Sequence, residues 1–451
     1  MKQRKSLWQR LSPPQTLSLG FVIIILTGTF LLMMPHATES GAGLSFLDAL
    51  FMSTSSVCVT GLAVVDPGTT FTLFGQLVIL ALIQIGGLGF MTMATLIALV
   101  FRKRISFKER LILLESTNQA SLEGIVKLIR RTLIYALIIE LAGALILSIR
   151  WALDMPLGQA IYFGIFHSVS MFTNAGFDIM GGVAGPFSSL ASHVNDPIVN
   201  LTAIVLIFLG GIGFVVLADV WSFRLNKRLT LHSKVVLLAS AGLFTIGTIV
   251  ILLMEFTNPN TLGPLGLEGK LYSASLHSIS PRSGGISTLD VAQLRQSTQF
   301  FIIILMFIGA APGSTGGGIK LTTFVILVWA VVAMARGKND IVILRHRLAQ
   351  DRIYKAITIT VIAVFVIVSA TMIMSTFEDR TLLPLLFEVT SAFGTTGMSM
   401  GLTPNLTDAG KVLIITMMFI GRLGPLTLAY TLAPTTRKEL YRHPEGKIMI
   451  G

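Results

Sequence analysis

The chain has 451 residues, of which 53% are apolar and only 12% are charged, and its mean hydropathy is +0.79. This composition excludes an ordinary water-soluble protein, in which about 25% of residues are charged, and predicts an integral membrane protein. The single cysteine, Cys58, excludes a disulfide framework and a four-cysteine metal site.

The positive charge is distributed in a pattern typical of membrane topology rather than of nucleic-acid binding. The formal net charge is +12. Most Lys and Arg residues fall into five blocks, at residues 2–10, 102–131, 224–234, 336–355 and 437–447. Loops rich in Lys and Arg stay on the cytoplasmic side of a membrane. We therefore expect a multi-pass protein of the plasma (inner) membrane, surrounded by lipid, with cytoplasmic N- and C-termini and no nucleic-acid partner.

Two apolar stretches lie in each interval between neighbouring basic blocks, as an even number of crossings requires. The predicted crossings are residues 17–34, 71–101, 132–153, 197–220, 235–256, 299–335, 356–377 and 409–433. The first stretch follows a basic N-terminus, as in a signal peptide, but it is longer than the apolar region of one. We interpret it as a retained helix.

A short apolar segment and a loop ending in glycine lie between the two members of each pair. The segments, residues 44–58, 157–173, 271–282 and 382–394, are too short to cross a bilayer and predict re-entrant pore helices. The unit of helix, pore helix, loop and helix therefore occurs four times. The predicted repeats are residues 13–115, 116–225, 226–345 and 346–440, followed by a cytoplasmic tail at 441–451.

The predicted fold class is an all-α integral membrane protein with eight crossings. Each repeat begins and ends on the same side, so the four repeats are parallel and surround a single central pore. The third repeat contains a broken helix, which is described below.

The four loops, called the motif loops here, carry the candidate ion-binding residues. Backbone carbonyl oxygens can replace the water shell of a potassium ion in a narrow pore. Glycine permits the unusual dihedral angles that turn successive carbonyls inward. The candidates are Val59, Thr60 and Gly61; Asn174, Ala175 and Gly176; Ser283, Gly284 and Gly285; and Thr395, Thr396 and Gly397. The alternative is that each loop is an ordinary glycine turn at a helix end.

A glycine pair recurs in the returning helix of each repeat, and the third copy departs furthest from a helical sequence. In the first two copies, at Gly86 and Gly210, the pair predicts either close helix packing or a functional signature. The third copy has five glycines and one proline between residues 309 and 320, which is incompatible with a continuous helix. Non-helical backbone at membrane depth must line a cavity or be buried in protein. A phosphate-binding loop is the alternative, but the Walker spacing is absent.

This third copy, called the glycine-rich segment here, supplies most of the candidate gate residues. They are Gly309, Ala310, Ala311, Pro312, Gly313, Ser314, Thr315, Gly316, Gly317, Gly318 and Lys320.

Arg422 replaces the corresponding glycine in the fourth returning helix and completes the candidate gate. An arginine inside a membrane span faces a cavity or pairs with another group. One interpretation is a salt bridge to Glu140 or Glu388 that fixes helix packing. The other places the guanidinium in the pore below the motif loops, where it raises the barrier to cations and contacts the glycine-rich segment.

Other polar residues give weaker signals. Four acidic residues near the predicted external mouth either concentrate cations or are simply solvated: Asp48, Asp66, Asp178 and Asp290. We expect His167 and His277 to form hydrogen bonds within pore helices. The sequence contains no nucleophile–base constellation, so we do not expect an enzyme.

The chain resembles the Trk/Ktr/HKT superfamily of cation transporters, most closely the membrane subunit of Ktr-type potassium uptake systems. The resemblance rests on the four glycine loops, Asn-Ala-Gly-Phe at 174–177, Pro-Arg-Ser-Gly-Gly at 281–285 and the glycine-rich segment. It implies four repeats around one pore and potassium selectivity, because all four loops carry glycine. Members with serine in the first loop tend to pass sodium, and Gly61 argues against that here. Ser283-Gly284 departs from the common Thr-Ala.

The same resemblance implies how such a pore is controlled. It implies that the glycine-rich segment is a mobile gate and that the subunit forms a homodimer with its apolar C-terminal tail near the dimer contact. It also implies that a cytoplasmic ring of nucleotide-binding regulatory subunits controls the pore. No covalent cofactor is implied; K⁺ is the transported ion, and Na⁺ as an activating or coupled ion stays open. The alternatives are a sodium-coupled secondary carrier with its site at broken helices and a non-conducting receptor, which would leave the loop glycines unexplained.

Overall fold

The computed structural model describes residues 13–89, 125–338 and 340–424, and this part of the chain is predominantly helical. Its longer helices are α1 (Pro13–Leu32), α2 (Phe46–Val57), α3 (Leu73–Leu88), α4 (Ile125–Trp151), α5 (Leu157–Phe172), α6 (Pro197–Gly211), α7 (Phe214–Asn226), α8 (Leu231–Glu255), α9 (Leu267–Ile279), α10 (Gln296–Ile308), α11 (Leu321–Ala335), α12 (Gln350–Met374), α13 (Leu382–Gly394) and α14 (Asp408–Leu423).

Short elements connect these helices. The single-turn helices are Pro67–Thr70 and Gly181–Ala184, and the 3₁₀ turns are Pro35–Ala37, Ala191–His193, Ser280–Arg282, Val291–Gln293 and Thr403–Asn405. An antiparallel hairpin of β1 (Val342–Ile343) and β2 (His346–Arg347) lies between α11 and α12.

Four described helices, α1, α4, α8 and α12, are long and apolar enough to cross a membrane. A fifth span is counted if α6 and α7 are taken as one. The four helices carry large exposed apolar side chains, such as Leu145, Leu253 and Phe365. Such a surface is unusual for a soluble protein and fits a multi-pass membrane protein. The ends of the predicted crossings 71–101 and 409–433 lie outside the described residues, as does the tail at 441–451.

A glycine–serine contact joins the first helix of a repeat to its predicted pore helix in the first three predicted repeats. The joined pairs are α1 with α2, α4 with α5, and α8 with α9. The Ser53 hydroxyl donates to the Ile25 carbonyl at 2.6 Å, and a Cβ on Gly28 would overlap that hydroxyl. In the second repeat the Ser168 hydroxyl donates to the Glu140 carbonyl and lies against Gly143. In the third repeat the Ser278 hydroxyl donates to the Phe244 carbonyl and lies against Gly247. This contact was not predicted, although the spacing of 25 residues between glycine and serine repeats in the first two units.

The recurring glycine of the returning helices allows close packing against the pore helices. A Cβ on Gly86 would overlap the Val57 carbonyl oxygen at the end of α2. The same relation holds for Gly210 with Phe172 and for Gly421 with Phe393. The close packing predicted for Gly86 and Gly210 is therefore confirmed. These contacts place the ends of α2, α5 and α13 against α3, α6 and α14, respectively.

The second returning helix, predicted as the crossing at 197–220, is broken. α6 ends at Gly211, α7 begins at Phe214, and the two are bent by 102°. Gly213 has a φ of +90°, a conformation that glycine adopts without a Cβ penalty. The break makes room for the glycine-rich segment, since the Phe214 N–H donates to the Gly313 carbonyl at 2.9 Å.

The predicted break in the third returning helix is confirmed. α10 ends at Ile308 and α11 begins at Leu321, with the glycine-rich segment between them.

Candidate functional site

The four motif loops, far apart in sequence, meet in one closed ring. A Cβ on Gly61 would overlap the Ala175 carbonyl oxygen of the second loop. Each remaining glycine faces the next loop in the same way: Gly176 faces the Gly284 oxygen (3.3 Å from the added Cβ), Gly285 faces the Thr396 oxygen (2.6 Å), and Gly397 faces the Thr60 oxygen. The carbonyls of the residues before the four glycines therefore lie at the contacts between successive loops.

The backbone of all four loops has the same alternating conformation. The residue two positions before each glycine and the glycine itself both have positive φ. The values are 57° and 91° at Val59 and Gly61, 59° and 70° at Asn174 and Gly176, 102° and 69° at Ser283 and Gly285, and 47° and 89° at Thr395 and Gly397. Positive φ is uncommon outside glycine. The shared pattern indicates that the four loops have the same backbone shape.

A serine near the end of each pore helix holds the loop that follows. The backbone N–H of the residue before the glycine donates to the serine carbonyl: Thr60 to Ser55 (2.8 Å), Ala175 to Ser170 (2.8 Å), Gly284 to Ser280 (2.6 Å) and Thr396 to Ser391 (2.9 Å). The Ser55 hydroxyl also accepts the Gly61 N–H at 3.1 Å. Sequence reasoning missed these serines, although each lies five or six residues before its glycine.

The histidines of the pore helices are structural, as expected. His167 Nδ1 is hydrogen-bonded to the Phe163 carbonyl at 2.8 Å, and His277 Nδ1 to the Ser273 carbonyl at 2.9 Å. Glu388 lies at the corresponding position of α13 and accepts hydrogen bonds from hydroxyl groups after the fourth loop. Within the described residues, no group of three or more His, Cys, Asp or Glu side chains could hold a metal ion.

The glycine-rich segment lies directly against three of the motif loops. The Thr315 hydroxyl and the Asn174 amide are hydrogen-bonded at 2.9 Å. The Gly317 N–H donates to the Ser283 hydroxyl at 3.3 Å, and that hydroxyl donates to the Thr395 carbonyl at 2.9 Å. The candidate ion-binding and gate residues therefore form one continuous site.

Hydrogen bonds within the segment hold it in a folded-back shape. The Ala310 N–H donates to the Gly317 carbonyl at 3.3 Å, and the Leu321 N–H donates to the Ala310 carbonyl at 3.0 Å. The Lys320 ammonium donates to the Gly316 carbonyl at 2.5 Å. The only cation of the segment thus binds carbonyls of the segment itself.

Arg422 contacts the glycine-rich segment rather than an acidic side chain. Its guanidinium donates to the carbonyls of Thr315 and Gly86. Within the described residues Arg422 has no salt bridge to Glu140 or Glu388. The Glu140 carboxylate accepts instead from the Gln84 amide at 3.0 and 3.1 Å. The salt-bridge interpretation of Arg422 was wrong, and the expected contact with the segment is present.

The acidic residues outside the ring mostly bind protein groups. Asp48 pairs with Lys411 at 2.7 Å, and Asp290 accepts the Ala292 N–H at 2.9 Å. Asp66 accepts the Phe187 N–H at 2.7 Å. Burial, and then the nearby Asp66 carboxylate, raise the pKa of Asp178 to about 7. Asp178 therefore changes its charge near neutral pH.

Residues 9–440 match a protein family, TrkH, described as "Cation transport protein". The chain is 43% identical to the Ktr system potassium uptake protein B of Bacillus subtilis, over 98% of each chain. It is 38% identical to the potassium/sodium uptake protein NtpJ of Enterococcus hirae, over 99% of each. The fold matches the crystal structure of the potassium transporter TrkH from Vibrio parahaemolyticus with a TM-score of 0.69 at 18% identity, over 93% of this chain and 85% of that one. The chain belongs to the TrkH family of cation transport proteins.

Proposed function

We propose that the chain is the ion-conducting subunit of a potassium uptake system and that the four motif loops form its selectivity filter. The closed ring of loop contacts is the observation that carries this proposal. The relative from Bacillus subtilis named above, a potassium uptake protein, supports it.

The proposed filter works by replacing water with carbonyl oxygens. A potassium ion that enters a narrow pore loses part of its hydration shell, and rings of backbone carbonyls substitute for it. In the ring, each glycine leaves space that a Cβ would take from the carbonyl of the next loop. The same residue, glycine, therefore occupies the equivalent position in all four loops, although the other loop residues differ.

The glycine-rich segment, with Arg422, is the proposed gate beneath the filter. Its hydrogen bonds to Asn174 and Ser283, and the close approach of Gly317 to Thr395, support this position. Glycine has low conformational barriers, so the segment can leave this position without breaking a helix. The Arg422 guanidinium holds the segment through the Thr315 carbonyl and adds a positive charge that opposes cations.

The proposed assembly follows the resemblance and the names of the relatives. It comprises eight crossings in four parallel repeats at 13–115, 116–225, 226–345 and 346–440, a homodimer in lipid, cytoplasmic termini in the plasma membrane, and a ring of cytoplasmic nucleotide-binding regulatory subunits. The name "Ktr system" of the Bacillus subtilis relative supports a multi-component system.

A sodium-coupled carrier is the second candidate. The relative named potassium/sodium uptake protein favours it, together with the broken helices at 211–214 and 309–320. Coupling would make potassium uptake depend on external sodium at constant membrane potential, whereas a channel-like pore would not show that dependence.

The test is potassium uptake by a transport-deficient cell that expresses this chain, with Gly61→Ser as the variant. The serine Cβ would overlap the Ala175 carbonyl oxygen, so we expect preference for potassium over sodium to fall. Gly41→Ser is the matched control, because Gly41 also has positive φ (68°) but nothing lies within 4 Å of an added Cβ. Unchanged selectivity in Gly61→Ser at normal expression would contradict the filter.

A further inference from the structure

Arg282 is a buried cation that has no partner among the described residues. This residue directly precedes the third motif loop in the chain and is only 7% exposed. In the described part of the chain no carboxylate lies within ion-pair distance of it, and no hydrogen bond reaches its guanidinium. A guanidinium stays protonated in proteins, and an uncompensated buried charge is strongly unfavourable. The site therefore requires a negative group.

A small cavity lies beside this guanidinium. Its lining includes Arg282, Ser240, Gly211, Ile212, Ala310 and Ala311. The space available to the centre of a water-sized sphere is about 10 Å³, which suits one water or one ion of similar size. Ser240 is 2% exposed, and its hydroxyl forms no hydrogen bond with the described residues either.

We propose that this cavity binds one small monovalent anion, which is chloride under cellular conditions. The two polar side chains of the lining, Arg282 and Ser240, both present hydrogen-bond donors. The other named lining residues have no polar side chain, and no carboxylate is among them, so the cavity does not suit a cation. A single water would fill the space but leave the guanidinium charge uncompensated.

The anion would affect the pore through the third motif loop, which directly follows Arg282. A positive charge close to the third motif loop opposes the binding of a cation there, and a bound anion weakens that repulsion. Ala310 and Ala311 belong to the glycine-rich segment, so an occupied cavity also favours the observed position of that segment. These two consequences rest on the proposed function, whereas the anion site itself does not.

The test measures anion binding directly on the purified full-length chain. Crystals grown in potassium bromide should show an anomalous bromide peak within hydrogen-bond distance of the Arg282 guanidinium. The melting temperature should be higher in potassium chloride than in potassium gluconate at equal potassium concentration, because a ligand that binds only the folded state stabilises it. We expect Ser240→Ala to weaken bromide affinity about tenfold, which is the effect of one lost hydrogen bond of about 1.4 kcal/mol.

Two further variants distinguish halide binding in the cavity from general effects of salt on stability. Ser240→Leu should fill the cavity and abolish both responses, whereas Ser375→Leu, at an exposed serine on the end of α12, should retain them. A cavity without bromide, equal melting temperatures in the two salts, or an unchanged halide response in Ser240→Leu would each overturn the proposal. Halide binding is measured without flux, so a failure of potassium uptake would contradict the transport proposal alone.

Discussion

Thr315→Val is the change that most selectively loosens the proposed gate. Valine has nearly the same shape as threonine but lacks the hydroxyl. In the structure that hydroxyl is hydrogen-bonded to the Asn174 amide at 2.9 Å and to the Gly210 carbonyl at 3.2 Å. The Thr315 carbonyl, which accepts from Arg422, is unchanged by the substitution. The variant therefore removes the side-chain bonds from the segment to the second loop and the second helix break.

The expected magnitude follows from these two bonds. A hydrogen bond contributes a net of about 0.5–1.5 kcal/mol, so their loss destabilises the closed arrangement by about 1–3 kcal/mol. This free energy corresponds to a change of about 5- to 150-fold in the ratio of open to closed protein. The uptake rate should rise by up to that factor and saturate when the open form predominates.

The assay is the initial rate of potassium uptake into proteoliposomes that contain purified protein at matched density. Thr358→Val is the control, because it removes a local hydrogen bond of 2.8 Å to Tyr354 on α12, far from the segment in sequence. Thr358→Val should leave the rate unchanged. An unchanged or reduced rate in Thr315→Val, with normal assembly, would refute the view that this segment obstructs the pore.

Two other predictions concern packing and pH. Gly86→Ala should lower the free energy of unfolding by about 1–3 kcal/mol, and with it the melting temperature, because its Cβ overlaps the Val57 carbonyl oxygen. Gly242→Ala is the control and should keep the parent melting temperature, because nothing lies within 4 Å of an added Cβ. Equal melting temperatures of the two variants would contradict the close packing. Asp178 loses its proton at about pH 7 when folded instead of at 3.8, so its stability contribution is complete below pH 3.8 and is lost as pH rises through 7. Asp178→Asn should therefore gain stability relative to the parent chain between pH 5 and 8 in thermal melts, and parallel pH profiles would count against the raised pKa.

The sequence predicts the ring well because its signal is local and repeated. Each motif loop combines a short apolar segment with a glycine that has positive φ, as at Gly61 and Gly397. One such loop would be indistinguishable from a turn. Four in equivalent positions predict a common axis, and the structure brings all four together.

The break in the second returning helix could not be predicted in the same way. Its glycines at 210, 211 and 213 differ little from those at 86, 87 and 89, where α3 also ends, at Leu88, before a glycine of positive φ (Gly89, 84°). Glycine lowers helix stability by about 1 kcal/mol per residue, which tertiary contacts readily override. The contact that accompanies the break, from Phe214 to the Gly313 carbonyl, joins residues 99 positions apart in the chain.

The partners of Arg422 were unpredictable for a related reason. Sequence reasoning looks for a carboxylate to pair with a buried cation, and Glu140 and Glu388 were available. Broken helices offer carbonyl oxygens instead, because the last carbonyls of a helix have no partner within it. The Gly86 carbonyl lies near the end of α3, and the Thr315 carbonyl lies in non-helical backbone.

We propose that the ring of motif loops binds the transported cation. The most direct measurement is a crystal structure with rubidium in place of potassium, recorded at an energy where rubidium scatters anomalously. We expect a rubidium peak on the axis of the ring, coordinated by the carbonyl oxygens of Thr60, Ala175, Gly284 and Thr396. An empty ring, with rubidium bound elsewhere in the protein, would contradict it.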